Sequence, residues 1–457
     1  MMTESQRAAL AEYAAVKGQC PARERLAALF DDGVYTETGS NLRAGENLAG
    51  VVTAYGYIGG TPAYAFSQDS TVMKGAVSLA HSAKICKMFE LAARNGVPVV
   101  GIYDSCGAFV EDGADALNAY SDILLSMGSL SGVVPMVSVI SGVCAGTMAM
   151  IASSADFSVI TEGAELYLDA SGNNASAESA AKSGAVSAYA KSDAEAMDTV
   201  RRYLSLMPQN NLSPLPEFEF DAPVSAAFDN AENAAESIAD AGSILEVYGE
   251  YGTASYTALC TVSGVTAGIA ATNKTKDKLT SADCSKIARF VRLCDAYSIP
   301  VITVADTEGF DLHGADMVRA GAALAGAYAE ASCAKIALVS GKACGMAYIA
   351  FAGRNVAADA VYALPEAVIA PMDPVSAAEF LYHDKLKGAD DLAAARAQIA
   401  KEYAENEGSA FAAAAKGAAD EVVIAENVRA AVASVLDVTA GKRLNKRLPK
   451  KHNILPL

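Results

Sequence analysis

Two stretches of this chain are copies of one another, and any fold it adopts must accommodate both. The run Lys84-Ile85-Cys86-Lys87-Met88-Phe89 continues through Val97-Pro98-Val99-Val100 to Asp104 and Gly107. It aligns without a gap on Lys286-Ile287-Ala288-Arg289-Phe290-Val291, Ile299-Pro300-Val301-Ile302, Asp306 and Gly309. Downstream, Ser141-Gly142-Val143-Cys144-Ala145-Gly146 matches Ser340-Gly341-Lys342-Ala343-Cys344-Gly345. Upstream, Asp32-Gly33-Val34-Tyr35-Thr36-Glu37 echoes Ala241-Gly242-Ser243-Ile244-Leu245-Glu246. Three blocks in the same order mean a duplicated domain. The repeat is far longer than the roughly 20–50 residues of a solenoid unit, so each copy needs a core of its own. Domains over 1–225 and 226–457 are expected, with the proline-rich stretch Met207–Pro223 at the junction.

The segments around the repeat set the fold class. Ile85, Met88, Phe89 and Ala92 recur at helical spacing, as do Ile287, Phe290, Val291 and Cys294 in the second copy. Each predicted helix is followed by a proline-led apolar run, Val97–Tyr103 or Ile299–Ala305, which reads as a buried strand. Second buried strands are predicted at Met136–Ile140 and Lys335–Val339, each entering a glycine turn and a helix of small residues. Alternating helices and strands predict a mostly parallel α/β core in both halves. The uncharged run Ile123–Ala155 holds Gly128, Gly132, Pro135, Gly142 and Gly146, so it is expected to be a buried strand followed by a buried helix and not a membrane span. Ala170–Ala190 reads equally as a flap over a site or as a surface loop. Residues 388–420 read as an alanine-rich packing helix, and the basic tail from Gly441 to Leu457 as a solvated end or a subunit contact.

Composition narrows function. The 53 acidic and 35 basic residues leave a formal charge of −18, which opposes binding to nucleic acid and to anionic membranes. The nine cysteines have no Cys-x-x-Cys spacing and the four histidines, His81, His313, His383 and His452, are far apart, so no metal site is expected and a reduced, cytoplasmic setting is. The N-terminus has no signal-peptide pattern. What recurs is a strand ending in a glycine turn, twice per copy: Gly107-Ala108 and Gly146-Thr147, then Gly309-Phe310 and Gly345-Met346. Turns of this kind aim backbone N–H groups at one point, where they can hold a developing oxyanion. The same glycines are also compatible with tight helix–sheet packing alone.

Longer blocks carry a resemblance. Ala22-Arg23-Glu24-Arg25-Leu26, Gly56-Tyr57-Ile58-Gly59-Gly60, Phe66-Ser67-Gln68-Asp69-Ser70, His81-Ser82-Ala83-Lys84-Ile85 and Asp104-Ser105-Cys106-Gly107-Ala108 resemble the signature blocks of biotin-dependent acyl-CoA carboxyltransferases. The second half adds Arg289-Phe290-Val291-Arg292-Leu293-Cys294-Asp295-Ala296-Tyr297 and Lys342-Ala343-Cys344-Gly345-Met346-Ala347-Tyr348, and the end Lys450-Lys451-His452-Asn453-Ile454-Leu455-Pro456-Leu457 is similar to the family's close. This family includes carboxyltransferase subunits of acetyl-CoA and propionyl-CoA carboxylases, the transcarboxylase large subunit, and subunits of sodium-pumping methylmalonyl-CoA and glutaconyl-CoA decarboxylases.

The resemblance implies two tandem crotonase-like domains, acyl-CoA on the first and biotin, carried by a separate protein, on the second. It implies a homo-oligomer, commonly a trimer of dimers, with sites shared between chains. Partners would be a biotin carrier and either a biotin carboxylase or a membrane decarboxylase subunit, the latter making the protein peripheral to the membrane. Substrate and biotin do the acid–base work, and the protein supplies two oxyanion holes. By position, Gly107, Ala108, Gly146 and Thr147 would serve the thioester oxygen, and Gly309, Phe310, Gly345 and Met346 the ureido oxygen. Arg23, Arg25, Arg43, Lys84 and Lys87 are candidates for the CoA phosphates, and each also reads as an ordinary surface charge. His81 reads as a structural histidine.

The chain departs from the family at Cys106, Thr147 and Met346, where glycine is usual. A backbone N–H survives such a change, but side chains are expected to crowd the holes. Two other readings follow: a degenerate paralogue kept as a scaffold or regulatory subunit, and a crotonase-type hydratase or hydrolase working without biotin. Acyl chain length, the direction of transfer and the oligomeric state are not legible in these residues.

Overall fold

The computed structural model describes residues 2–169, 171, 175–223, 225–275, 277–311 and 316–442. Between Pro214 and Leu215 the chain divides into two compact units. The junction falls ahead of the expected 225/226 because Phe218 donates its N–H to Gly264 O at 2.8 Å and Glu217 bridges Val265, which ties this stretch to the second half.

Unit 1 opens with α1 (Glu4–Ala15), α2 (Pro21–Leu29) and β1 (Tyr35–Thr38), then a small hairpin of β2 (Arg43–Ala44) and β3 (Asn47–Leu48). A longer hairpin of β4 (Val51–Ile58) and β5 (Thr61–Gln68) precedes α3 (Leu79–Asn95) and β6 (Val99–Ser105). Then come α4 (Asp115–Leu130), β7 (Met136–Ala145), α5 (Thr147–Ser153), β8 (Phe157–Thr161) and β9 (Glu165–Tyr167). The unit closes with α6 (Ala177–Lys182), β10 (Ala188–Ala190) and α7 (Asp193–Leu206). The strand order is β1-β4-β5-β6-β7-β8-β10, with β9 also paired to β7. Pairing is antiparallel through β5 and parallel beyond it.

Unit 2 repeats the plan: α8 (Ala231–Ile238), β11 (Leu245–Glu246), β12 (Tyr256–Val262), β13 (Val265–Ala271), α9 (Ser281–Ala296) and β14 (Val301–Ala305). Next are α10 (Asp316–Glu330), β15 (Lys335–Val339), β16 (Lys342–Cys344), α11 (Met346–Phe351), β17 (Ala360–Ala363) and β18 (Val368–Ala370). Four helices, α12 (Pro374–Leu381), α13 (His383–Lys387), α14 (Leu392–Asn406) and α15 (Ala410–Ala415), lead to β19 (Glu421–Val422) and α16 (Ala425–Thr439). The main sheet runs β11-β12-β13-β14-β15-β17-β19, again antiparallel at first and then parallel, and β16 pairs with β18.

The repeated helices form the back of each site. α3 starts where Ser78 Oγ accepts the His81 N–H at 3.2 Å and stops at the left-handed Gly96. Its inner stripe of Ile85, Met88, Phe89 and Ala92 is buried, with Phe66 packed edge-on against both Phe89 and Tyr103. α9 starts with a Thr280–Asp283 capping box and buries Ile287, Phe290, Val291 and Cys294. Each fully buried aromatic or branched side chain contributes about 1.5–3 kcal/mol, so the stripe anchors the helix to the sheet.

Some expectations change. Of the stretch 170–190, residues 170 and 172–174 lie outside the described residues, and the rest is ordered structure: Ser176 caps α6, Ala177, Ala180 and Ala181 pack inward, and β10 joins the sheet beside β8. Alanine at i, i+3 and i+4 makes a buried helix face with little bulk. The stretch 388–420 is two helices, α14 and α15, separated at Gly408. Ile123–Ala155 resolves into the end of α4, then β7 and α5, and no described helix is long and apolar enough to cross a membrane. His313, His452 and the basic tail beyond Lys442 lie outside the described residues.

Candidate active site

In both units, two adjacent parallel strands end side by side and each runs into a glycine turn. In unit 1 these are β6 and β7, paired as far as Ser105 and Cys144. In unit 2 they are β14 and β15, with β15 continued by β16. The carboxyl ends of parallel strands are where open α/β sheets place ligands.

The hydrogen bonds decide which amides are available. Gly107 donates its N–H to Ser105 Oγ at 3.2 Å, and Gly309 donates to Thr307 Oγ1 at 3.2 Å. Gly146 donates to Tyr167 O and Gly345 to Ala370 O, both at 2.9 Å. None of the four glycine amides is therefore turned toward a ligand. The residue after each one is placed differently. Ala108 forms a parallel bridge with Val77, in which Val77 N–H bonds Gly107 O and Phe109 N–H bonds Val77 O, so the N–H of Ala108 itself faces the other way. Phe310 bridges Leu279 in the same manner, through Gly309 O and the Asp311 N–H. Thr147 and Met346 are the first residues of α5 and α11, where N–H groups have no partner within the helix. The amides of Ala108 and Thr147, and of Phe310 and Met346, are the donors this geometry offers.

The glycines supply conformation. Gly107 and Gly309 have φ of +116° and +102°, which residues with a side chain rarely adopt, and no atom of the described residues lies within 4 Å of a Cβ at Gly309. At Gly107 the nearest atom is Ala145 O at 3.9 Å, which sets this turn against the one carrying Gly146. Tight packing is therefore not what these two positions require.

Behind each turn sits a matched carboxylate. Asp104 accepts the Ser70 hydroxyl at 2.7 Å and an Arg25 N–H at 2.9 Å. Asp306 accepts Asn273 Nδ2 at 2.5 Å and the Lys342 N–H at 2.8 Å. A Cβ at Gly142 or Gly341 would lie 2.3 Å from the respective carboxylate, so only glycine fits there. Ser105, Thr307, Asp104, Asp306 and Lys342 were not singled out in the sequence as parts of the site. The signal was the repeat itself, which keeps a hydroxyl two residues before Gly107 and before Gly309.

The five proposed phosphate ligands separate. Arg23 holds Glu37 through two bonds of 2.9 and 3.0 Å. Arg25 joins Asp104, the Ser141 carbonyl at 3.1 Å and Asp193 at 3.3 Å. Both guanidiniums are engaged inside the unit. Lys84 is buried and its ammonium bonds Val51 O, so it cannot reach a phosphate in water. Burial pushes its pKa down to about 8. Its copy Lys286 is buried as well, bonds Ser255 O at 2.8 Å and is likewise lowered to about 8 by burial. Arg43, on the β2–β3 hairpin packed against α3, and Lys87 on α3 are both exposed and remain suited to an anion.

His81 is fully buried beside Gln68, and burial, with the Lys84 charge adding to it, pushes it down to about 3, so it is neutral. At the three positions where the resemblance leads one to expect glycine, Cys106 is exposed, Thr147 is half-buried, and Met346 lays its methyl end against Gly321 of α10, where a Cβ would come within 3.0 Å of Cε. Gly321 leaves room for that methyl end on the neighbouring helix, while the Met346 side chain remains 42% exposed. Among the described residues no group of His, Cys, Asp and Glu is arranged to hold a metal ion.

A model of the carboxyl transferase domain matches residues 14–455. The chain is 33% identical over 488 residues to the methylmalonyl-CoA decarboxylase subunit alpha of Propionigenium modestum, spanning 96% of this chain and 94% of that protein. It is equally 33% identical, over 485 residues, to the methylmalonyl-CoA carboxyltransferase 12S subunit of Propionibacterium freudenreichii subsp. shermanii, spanning 96% and 92%. The solved transcarboxylase 12S hexamer, with methylmalonyl-coenzyme A and methylmalonic acid bound, superposes with a TM-score of 0.89 at 31% identity, covering 100% of this chain and 99% of that one. The fold is accordingly the duplicated crotonase-like one.

Proposed function

Because the chain belongs to the carboxyl transferase family, we propose that it is the subunit that moves a carboxyl group between a short-chain acyl-CoA and biotin borne by a separate carrier protein. The single observation that carries this reading is the repeated pair of outward amides, Ala108 with Thr147 and Phe310 with Met346. Carboxyl transfer of this kind creates negative charge on two carbonyl oxygens, one on each substrate. Two such pairs match that need without a side-chain triad.

The first pair would hold the thioester oxygen as the α-carbon loses or gains its carboxyl, and the second pair the ureido oxygen. Biotin supplies the carboxyl carrier and the base in this chemistry. The two N–H groups of unit 2 suit a planar carbonyl oxygen that gains charge. Arg43 and Lys87 would meet the CoA phosphates at the surface of unit 1. Methylmalonyl-CoA and propionyl-CoA are the first pair to test, since the relatives of similar length act on them. The protein would work as a homo-oligomer, in the cytoplasm or at the membrane through a decarboxylase subunit. Its partners would be a biotin carrier and either a biotin carboxylase or that membrane subunit.

The test is incubation of the purified protein with malonyl-CoA, methylmalonyl-CoA or glutaconyl-CoA, with and without free biotin, following release of the carboxyl group. Biotin-dependent loss from one of the three is the expected result. Loss that ignores biotin would favour a crotonase-type reaction, and no loss from an intact oligomer would favour a scaffold role.

A further inference from the structure

Lys342 touches all three residues that lead into Gly309, and the cap of α12 as well. Its N–H donates to Asp306 Oδ1 at 2.8 Å, and its carbonyl accepts the Thr307 N–H at 2.8 Å. Its ammonium donates to Glu308 Oε2 at 2.8 Å and pairs with Asp373. Asp306, Thr307 and Glu308 immediately precede Gly309 and Phe310, the residue that offers one outward amide. Lys342 itself opens β16, which leads within four residues to Met346, the residue that offers the other. Asp373 caps α12, accepting the Val375 N–H at 2.8 Å, so it is fixed in its own right. Burial of the ammonium opposes its charge, but the bonds to Asp373 and Glu308 outweigh that and hold it protonated.

The corresponding residue of unit 1 is Val143, which has no charge. There a side chain from a different element, the Arg25 guanidinium of α2, holds Asp104 and the Ser141 carbonyl, whereas in unit 2 the Lys342 backbone holds Asp306 and its ammonium reaches Glu308 and Asp373. The need to brace the turn is common to both copies, while the residue that meets it is not.

We infer that Lys342 is a positioning residue: it fixes the separation of the Phe310 and Met346 amides, and touches neither substrate. This rests on reading those amides as an oxyanion hole. Misplacing a donor by about an ångström costs up to a hundredfold in rate. The ion pairs themselves are partly exposed, with 24% of the Lys342 side chain and 57% of the Glu308 side chain accessible, so they add little to stability.

The experiment compares Lys342→Met and Lys342→Arg with wild type in the intact oligomer. Amide hydrogen exchange without substrate reads the turn directly. Lys342→Met should exchange faster across 306–311 and 342–347, while 104–109 and 143–148 stay as they are. With methylmalonyl-CoA and free biotin, kcat should fall tenfold or more, with KM for biotin within threefold and the unfolding midpoint nearly unchanged. Lys342→Arg, which keeps the charge, should recover most of that loss. Unchanged exchange, kcat within twofold of wild type, or a raised KM at unchanged kcat would each overturn the inference. If the wild type shows no biotin-dependent reaction, the functional reading fails, and the exchange data still decide whether Lys342 sets the turn.

Discussion

The two units present the same pair of backbone donors on differently braced turns. In unit 1 the carboxylate behind the turn, Asp104, is held by a largely buried guanidinium that reaches in from α2 and also grips Asp193 on α7. In unit 2 the matching Asp306 is held by the backbone of Lys342 and by Asn273, and the charged contacts lie nearer the surface. Both copies keep an outward N–H on the residue after each glycine, the donor proposed above for the chemistry, while the side chains around it differ. A hole made of backbone tolerates that divergence, because any side chain at 108, 147, 310 or 346 leaves an N–H in place.

The largest effects should come from the feature the copies share. Replacing Gly107 or Gly309 with valine asks a β-branched residue to hold φ above +100°. Among the described residues no atom comes closer than 3.9 Å to a Cβ at either position, so each variant should fold, and each should lose about a hundredfold or more in kcat. Near-normal turnover from either would mean that its turn does not build a hole.

A second effect separates the copies. Arg25→Met leaves Asp104 buried without its cation, which should cost roughly 3 kcal/mol and lower the unfolding midpoint by several degrees. Lys342→Met should barely move that midpoint. Equal midpoints for the two variants would erase the distinction between a structural brace and a positioning one.

The smallest effect should be the same in both units. Lys84 and Lys286 are each lowered to about 8 in the folded chain from an ordinary 10.5. Between those values the unfolded chain binds more protons than the folded one, so stability gained from each site rises with pH. From pH 7 to pH 9 wild type should gain on the order of 1 kcal/mol over Lys84→Met, and similarly over Lys286→Met. Denaturant titrations at the two pH values measure it, and a gain at one site alone would break the symmetry.

Much of this was legible in the chain because the repeat exposes it. Val99–Ser105 and Val301–Ala305 fall where the proline-led apolar runs put strands, and the four glycine turns fall where the repeat put them. What stayed hidden depends on partners distant in sequence. Arg25 looked like a free cation because Asp104 and Asp193 are 79 and 168 residues away. Lys84 looked like a surface charge although it lies on the same stripe as Met88, and its copy at Lys286 was the clue that the position is buried. The antiparallel hairpins that open each sheet gave little sign, since Thr61–Gln68 and Val265–Ala271 mix small and polar residues with few large apolar ones. The turn motif names each glycine and the residue after it together; only the hydrogen bonds, which engage the glycine amides, leave the role to the second of each pair.

The most direct measurement replaces a single backbone N–H with an ester oxygen, by incorporating lactic acid at Ala108 or phenyllactic acid at Phe310, and follows biotin-dependent carboxyl loss from methylmalonyl-CoA. Each ester should cut kcat by about a hundredfold to a thousandfold, the cost of one oxyanion donor, with the fold intact. An ester at either position that turned over like wild type would contradict the assignment of that amide, and with it the account of two backbone holes.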